Sequence, residues 1–196
     1  MEHTQQNPGY RDTRTREQLC AALRTLLCTK PLDQIRVREV AEQCGIRRQS
    51  FYYHFTDVYE LFEWSVDRER EQLRRRQESC LTVRQALRDL LWYTEENRAY
   101  YLALWRTPPR QLRRALGGAA EVLARRMTEY YTQRAGEALS PEQLCARTEV
   151  TAGVLLSLLE AWVCGELTQP PEQLCSELER WICQAALGAA WKNQGR

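Results

Sequence analysis

Val37-Arg-Glu-Val-Ala-Glu-Gln-Cys-Gly-Ile-Arg-Arg-Gln-Ser-Phe-Tyr-Tyr-His-Phe55 is the stretch that decides the fold. A short helix is predicted over Val37 to Gln43, and Gly45 supplies the left-handed backbone that stops it. A second short helix is predicted over Arg47 to His54. Val40 and Ala41 are placed to pack the two helices across a sharp turn, and Ala41 is small enough for close approach. Ile46 pins the turn from behind, and Phe51 and Phe55 anchor the second helix. This is a helix-turn-helix in outline. The face left over carries Arg47, Arg48, Gln49, Ser50, Tyr52, Tyr53 and His54, with Arg36 just before the first helix. Arginine can bond guanine O6 and N7 together, and glutamine can do the same at adenine N6 and N7. Ser50, Tyr52, Tyr53 and His54 suit phosphate contacts, which set register without reading sequence.

Outward from this unit, apolar residues recur three and four apart and strand alternation is missing, so the chain reads as all-α with about nine helices. Residues 1–12 are expected to form a flexible tail. A first helix from Thr13 to Cys28 carries Leu19, Ala22, Leu23, Leu26 and Leu27 on one stripe. Asp57 is expected to cap a long helix to Gln77, with Glu60 completing a capping box and a charged, solvated far half from Asp67 to Glu78. The N-terminal amides of that helix could meet a phosphate. Further helix starts are read at Thr82, Asn97, Thr107-Pro108-Pro109, Ser140-Pro141-Glu142-Gln143 and Gln169-Pro170-Pro171. The expected organisation is a tail (1–12), a DNA-binding domain (13–56), a connecting helix (57–78) and a ligand-binding and dimerisation domain (79–196).

The 196 residues are 43% hydrophobic and 28% charged, an ordinary globular composition. Net charge is only +2, but residues 1–55 hold nine Lys/Arg against six Asp/Glu. Basic charge is therefore modestly concentrated toward the N-terminus. No apolar run is long enough to span a membrane, and the first residues have no signal-peptide core. The eight cysteines form neither a CxxC pair nor a cluster. They read as small buried hydrophobes in a reducing cytoplasm. No phosphate loop, metal-ligand cluster or nucleophile–base pair stands out, so neither an enzyme nor a cofactor or metal is expected.

The residues Val37-x-x-Val40-Ala41, Gly45-Ile46, Phe51-Tyr52-Tyr53-His54-Phe55, Asp57 and Tyr59-x-Leu61 together resemble the TetR family of regulators, whose signature covers roughly Thr13 to Trp64. Three positions depart from the family pattern. Arg36 stands where a capping Thr is common, Arg47 where a capping Ser is common, and Val58 where a phosphate-facing Lys is common. Glu96-Asn97-Arg98-Ala99-Tyr100-Tyr101 and Gly153-x-x-x-x-Leu158-Leu159-x-x-Trp162 resemble, more loosely, the subgroup that includes dihydroxyacetone kinase regulators. The resemblance implies a cytoplasmic regulator, expected to be a repressor, binding palindromic double-stranded DNA as a homodimer under control of a small-molecule effector.

In the C-terminal half the aromatic load suits either a core or a ligand pocket. Trp92, Tyr101, Trp105, Met127 and Tyr130 are the pocket candidates. The last two helices have more apolar positions than one buried stripe needs. Leu155, Leu158, Leu159, Trp162, Trp181, Ile182 and Ala185 are therefore the candidates for a homodimer interface. A second reading is an all-helical protein-interaction module without specific DNA binding, motivated by the three departures.

Overall fold

The computed structural model describes residues 8–107 and 111–180. The described residues form helices and turns, with no strand among them. In chain order the elements are α1 (Pro8–Leu27), a 3-10 turn (Leu32–Gln34), α2 (Val37–Gln43), α3 (Arg48–Tyr52), α4 (Val58–Ser79), α5 (Val83–Glu96), α6 (Arg98–Arg106), α7 (Gln111–Arg134) and α8 (Pro141–Cys164). A further helix, α9, occupies 171–180. Helix α1 begins five residues earlier than the apolar pattern suggested. Pro8 at its first position costs no hydrogen bond, because that amide has no intrahelical partner.

Each start follows from local chemistry. Thr82 Oγ1 accepts from the Gln85 amide at 3.1 Å. Ser140 and Gln143 close a reciprocal box, at 3.2 Å and 2.9 Å, with Pro141 in the first turn. Two expected caps differ. Asp57 Oδ1 accepts from the Glu60 amide at 2.8 Å, but Glu60 reaches past Asp57 to the Thr56 amide and hydroxyl. Asn97 makes no side-chain cap for α6. Its amide group donates to the Tyr93 carbonyl while its oxygen accepts from Arg24, so it ties α5 to α1.

Helix α7 is the axis of the larger half. Leu112, Ala115, Leu116, Ala119, Ala120, Leu123, Ala124 and Met127 are buried along it, and it lies against α4 and α8. Its small residues allow close approach. A Cβ on Gly118 would meet the Arg70 carbonyl oxygen at 3.1 Å. Arg114 bridges to Glu63 and Asp67 near one end of α4, and Arg126 donates to the Gln77 and Cys80 carbonyls at the other. The two helices therefore run parallel. Arg113–Glu160 at 2.5 Å sets α8 antiparallel to α7.

The far half of α4 is not the solvated helix expected from its charges. Glu69, Leu73 and Gln77 are buried, four residues apart. Two of the three are polar, so an apolar-periodicity reading passes over them. The surrounding charges are matched by neighbours, as in Asp67–Arg114 at 2.6 Å and Arg76–Asp89 at 2.6 Å. The cysteine expectation also needs correction. Cys80 and Cys175 are buried, but Cys28 and Cys145 are exposed, and all seven described thiols are free. Cys183 lies outside the described residues. No described helix is long and apolar enough to cross a membrane.

Candidate nucleic-acid interface

The recognition unit is built on a buried floor. Val40, Ala41, Phe51 and Phe55 are buried together with Leu19, Leu23, Leu61 and Phe62 of the flanking helices. Gly45 adopts φ +65°, and the Ile46 amide donates to the Ala41 carbonyl at 3.0 Å, closing the turn. Phe51 and Phe55 pack at 6.1 Å between ring centroids, and Phe55 meets Trp64 of α4 edge-on at 5.8 Å. Val58 is buried against this floor, so the departure from Lys at that position serves packing.

Arg36, Arg47, Arg48, Gln49, Tyr52 and Tyr53 are exposed, and Ser50 and His54 are half-buried. Tyr53 is 83% exposed and Tyr52 47%, so both rings point away from the core. Arg48 is oriented by Tyr52 one turn later. Its Nη2 donates to the Tyr52 hydroxyl at 3.0 Å, and its guanidinium lies 5.6 Å from the ring centre. That contact fixes a long side chain that would otherwise sample many rotamers.

Neither Arg36 nor Arg47 supplies a side-chain acceptor, so α2 and α3 start without the hydroxyl cap usual at those positions. For α2 the Glu39 carboxylate compensates, accepting from the Arg36 amide at 2.9 Å and pairing with Lys30. The start of α4, read as a further phosphate contact, already holds the carboxylates of Asp57 and Glu60. Their charge opposes an approaching phosphate at that end of the helix.

Sequence reading missed Arg16. Its Nη2 donates to the His54 carbonyl at 3.3 Å, and its guanidinium lies 5.1 Å from the Phe55 ring centre and 6.0 Å from that of Trp64. It holds the end of α3 against α1 and α4. No motif marks it, because its partners come from two segments distant from it in sequence.

The head is joined to the larger half by a buried polar cluster. Glu69, 3% exposed, pairs with Arg24 of α1 at 2.7 Å and accepts from the Tyr101 hydroxyl of α6 at 2.5 Å. Arg24 also donates to Asn97 at 2.8 Å and lies 4.0 Å from the Tyr100 ring centre. Burial, then the adjacent Glu69 charge, pushes the Tyr101 hydroxyl well above its usual range, so it stays a donor.

This placement sets the residues read as pocket candidates in different surroundings. Tyr101 and Met127 fill the core, Trp105 is exposed, and Trp92 lies beneath the Arg88 guanidinium at 4.8 Å. Tyr130 borders a cleft, at the far end from α3, with Tyr131 and residues of α5 and α9. The dimer candidates also divide. Leu155, Leu159 and Trp162 are buried inside the chain, whereas Leu158 is half-buried. The outward stripe of α8 is Val150 and Val154, 68% and 54% exposed, continued by Leu158 and Ala161. Trp181, Ile182 and Ala185 lie outside the described residues.

Such a helix-turn-helix head on an all-helical body defines a class of DNA-binding regulator. Residues 19–63 match the family described as bacterial regulatory proteins, tetR family. That match covers the helix-turn-helix and the residues flanking it, and the likeness of the rest of the described chain to solved structures is one of fold. No curated protein matches it by sequence. Among solved structures it resembles the dihydroxyacetone kinase operon activator DhaS (TM-score 0.72, 18% identity, covering 88% of this chain and 96% of that one). It also resembles the transcriptional regulator FadR from Bacillus subtilis in complex with stearoyl-CoA (TM-score 0.65, 14% identity, 85% and 97%). A third is a tetR-family transcriptional regulator from Streptomyces coelicolor (TM-score 0.66, 17% identity, 91% and 82%).

Proposed function

We propose that the protein is a sequence-specific transcriptional regulator that binds operator DNA as a homodimer and responds to a small-molecule effector. The observation that carries this reading is the exposed row Arg47, Arg48, Gln49, Tyr52 and Tyr53 on a short helix whose other face is locked by Phe51 and Phe55. Rigid presentation of bidentate donors is what base reading requires. Residues 13–56 read DNA, α4 connects, and the remainder dimerises and binds the effector.

The apolar outward stripe of α8 supports dimerisation. Two heads must span half-sites about 34–36 Å apart, or a multiple, on one face of the duplex. The stearoyl-CoA bound in the Bacillus subtilis FadR structure supports control by an organic ligand. The simplest output is repression, by a dimer seated over a promoter. DhaS is described as an activator, so operator position decides the sign, and footprinting at the native promoter reads it.

Selection of bound duplexes from a random library tests the reading. A palindromic consensus is expected, with affinity falling steeply as salt rises. Arg48→Ala should relax preference at one base pair of each half-site, at a cost of about 1–3 kcal/mol. Tyr52→Ala should weaken all duplexes, both through its own phosphate contact and by freeing Arg48. Recovery of no consensus would sink the specific-regulator reading and leave the protein-interaction alternative.

A further inference from the structure

The end of the molecule remote from α3 carries a cleft of about 600 Å³ between the start of α5, the end of α7 and α9. That volume falls within the ~300–1,000 Å³ typical of small-molecule sites. Its walls are Thr82, Val83 and Arg84, then Tyr130, Tyr131 and Arg134, then Ser176, Glu179 and Arg180. Among the described residues lining it, three are arginines and one is an acid, Glu179. Arg84 also sits in the first turn of α5, which contains no acidic residue, so its charge adds to the positive end of that helix. This is an unbalanced positive field at a place that the DNA reading does not use.

Two further features narrow what could balance it. Tyr130 and Tyr131 meet edge to face at 5.1 Å, and the Arg134 guanidinium lies 5.7 Å from the Tyr130 ring centre. A planar apolar group would therefore meet an aromatic wall topped by a cation. Glu179 Oε1 is 3.3 Å from Arg84 Nε but is shielded from solvent without a hydrogen-bond partner. A ligand hydroxyl would give it one.

We propose that this cleft binds a small aromatic carboxylate. The carboxylate meets the guanidiniums of Arg84, Arg134 and Arg180, the ring lies against Tyr130 and Tyr131, and a ring hydroxyl donates to Glu179. Its role as the effector site rests on the ligand-controlled reading above. Binding itself does not.

Calorimetric titration of the full chain with 4-hydroxybenzoate tests the site, with benzyl alcohol and inorganic phosphate as comparators. Saturable 1:1 binding is expected for 4-hydroxybenzoate alone. Arg134→Gln should weaken it by up to about tenfold, as loss of a charge-assisted hydrogen bond does. Tyr130→Ala should weaken it several-fold. Both side chains are exposed, and an unchanged melting temperature without ligand confirms that the fold is kept. No saturation by 4-hydroxybenzoate, or equal affinity in Arg134→Gln, overturns the site. Equal binding of phosphate overturns the aromatic part and leaves a plain anion site. DNA binding measured with and without the probe is a separate arm. An unchanged operator affinity alongside clear 4-hydroxybenzoate binding supports the site and overturns its role as the effector site.

Discussion

At the scale of single residues, Glu60 shows how a helix start can be legible while its chemistry is displaced. The D-x-x-E pattern marks the beginning of α4 correctly, yet the carboxylate serves Thr56, at 2.6 Å from its amide and 2.8 Å from its hydroxyl. These bonds hold the Glu60 carboxyl below its usual range. Glu39 is lowered by Lys30, and Glu71 is held down to about 2 by Arg74 and Arg75. In each case the unfolded chain takes up its proton first as the solution is acidified. The stability they contribute is complete above the ordinary carboxylate range and is lost as pH falls through the lowered values. The melting temperature should therefore drop between about pH 5 and pH 2. In Glu60→Gln, which keeps an acceptor but cannot titrate, the drop should be shallower. Identical pH profiles would remove Glu60 from the account.

The exposed face of α3 has the same character. Residue types at Arg47, Arg48, Gln49 and Tyr52 were readable, because a fixed turn and two aromatic anchors determine which side of α3 is free. Arg16 was not readable, and neither was the Arg48–Tyr52 contact as a unit. Both depend on where side chains settle after the backbone is placed.

At the scale of elements, the interesting joint is the one between α1, α4 and α6. Glu69 looks in sequence like one more charge in a solvated run. In the fold it is the acceptor that Arg24 and Tyr101 share. Tyr101→Phe removes only a hydroxyl and should cost about 1–2 kcal/mol in denaturant unfolding. Glu69→Ala strands the Arg24 guanidinium and should cost about 3 kcal/mol or more. Replacing Arg24 and Glu69 together with methionine should recover part of that loss, because an apolar pair leaves no unpaired charge but removes the acceptor of the Tyr101 hydroxyl. A double variant as unstable as Glu69→Ala alone would show that the pair is not the source of the effect. Because the cluster spans the head and the body, it is also where a shift of α6 would reach α1 directly.

At the scale of the whole molecule, the outward stripe of α8 is the surface that the isolated chain does not explain. Val154→Arg places a charge in its middle without touching the core. In sedimentation it should convert a dimer to a monomer with an unchanged melting temperature when dilute. Affinity for a full palindrome should then fall by about a hundredfold or more, while a single half-site binds as before, because the second head no longer acts at high local concentration. A Val154→Arg protein that remains dimeric would place the interface elsewhere.

The sequence by itself determined the all-helical class, the caps at Asp57, Thr82 and Ser140, the turn at Gly45 and which side of α3 is exposed. All of these follow from interactions within a few residues: apolar periodicity, cap acceptors and a backbone angle that glycine tolerates. Tertiary structure alone decided which charges are buried, which aromatics are core and where open space remains. Tyr101 and Met127, two of the five pocket candidates, are buried where α7 packs tightly on α4 through its small residues. Leu155, Leu159 and Trp162 turned inward, leaving Val150 and Val154 outside. Helical periodicity states that a residue lies on a face, and only the packing of helices distant in sequence states what that face meets.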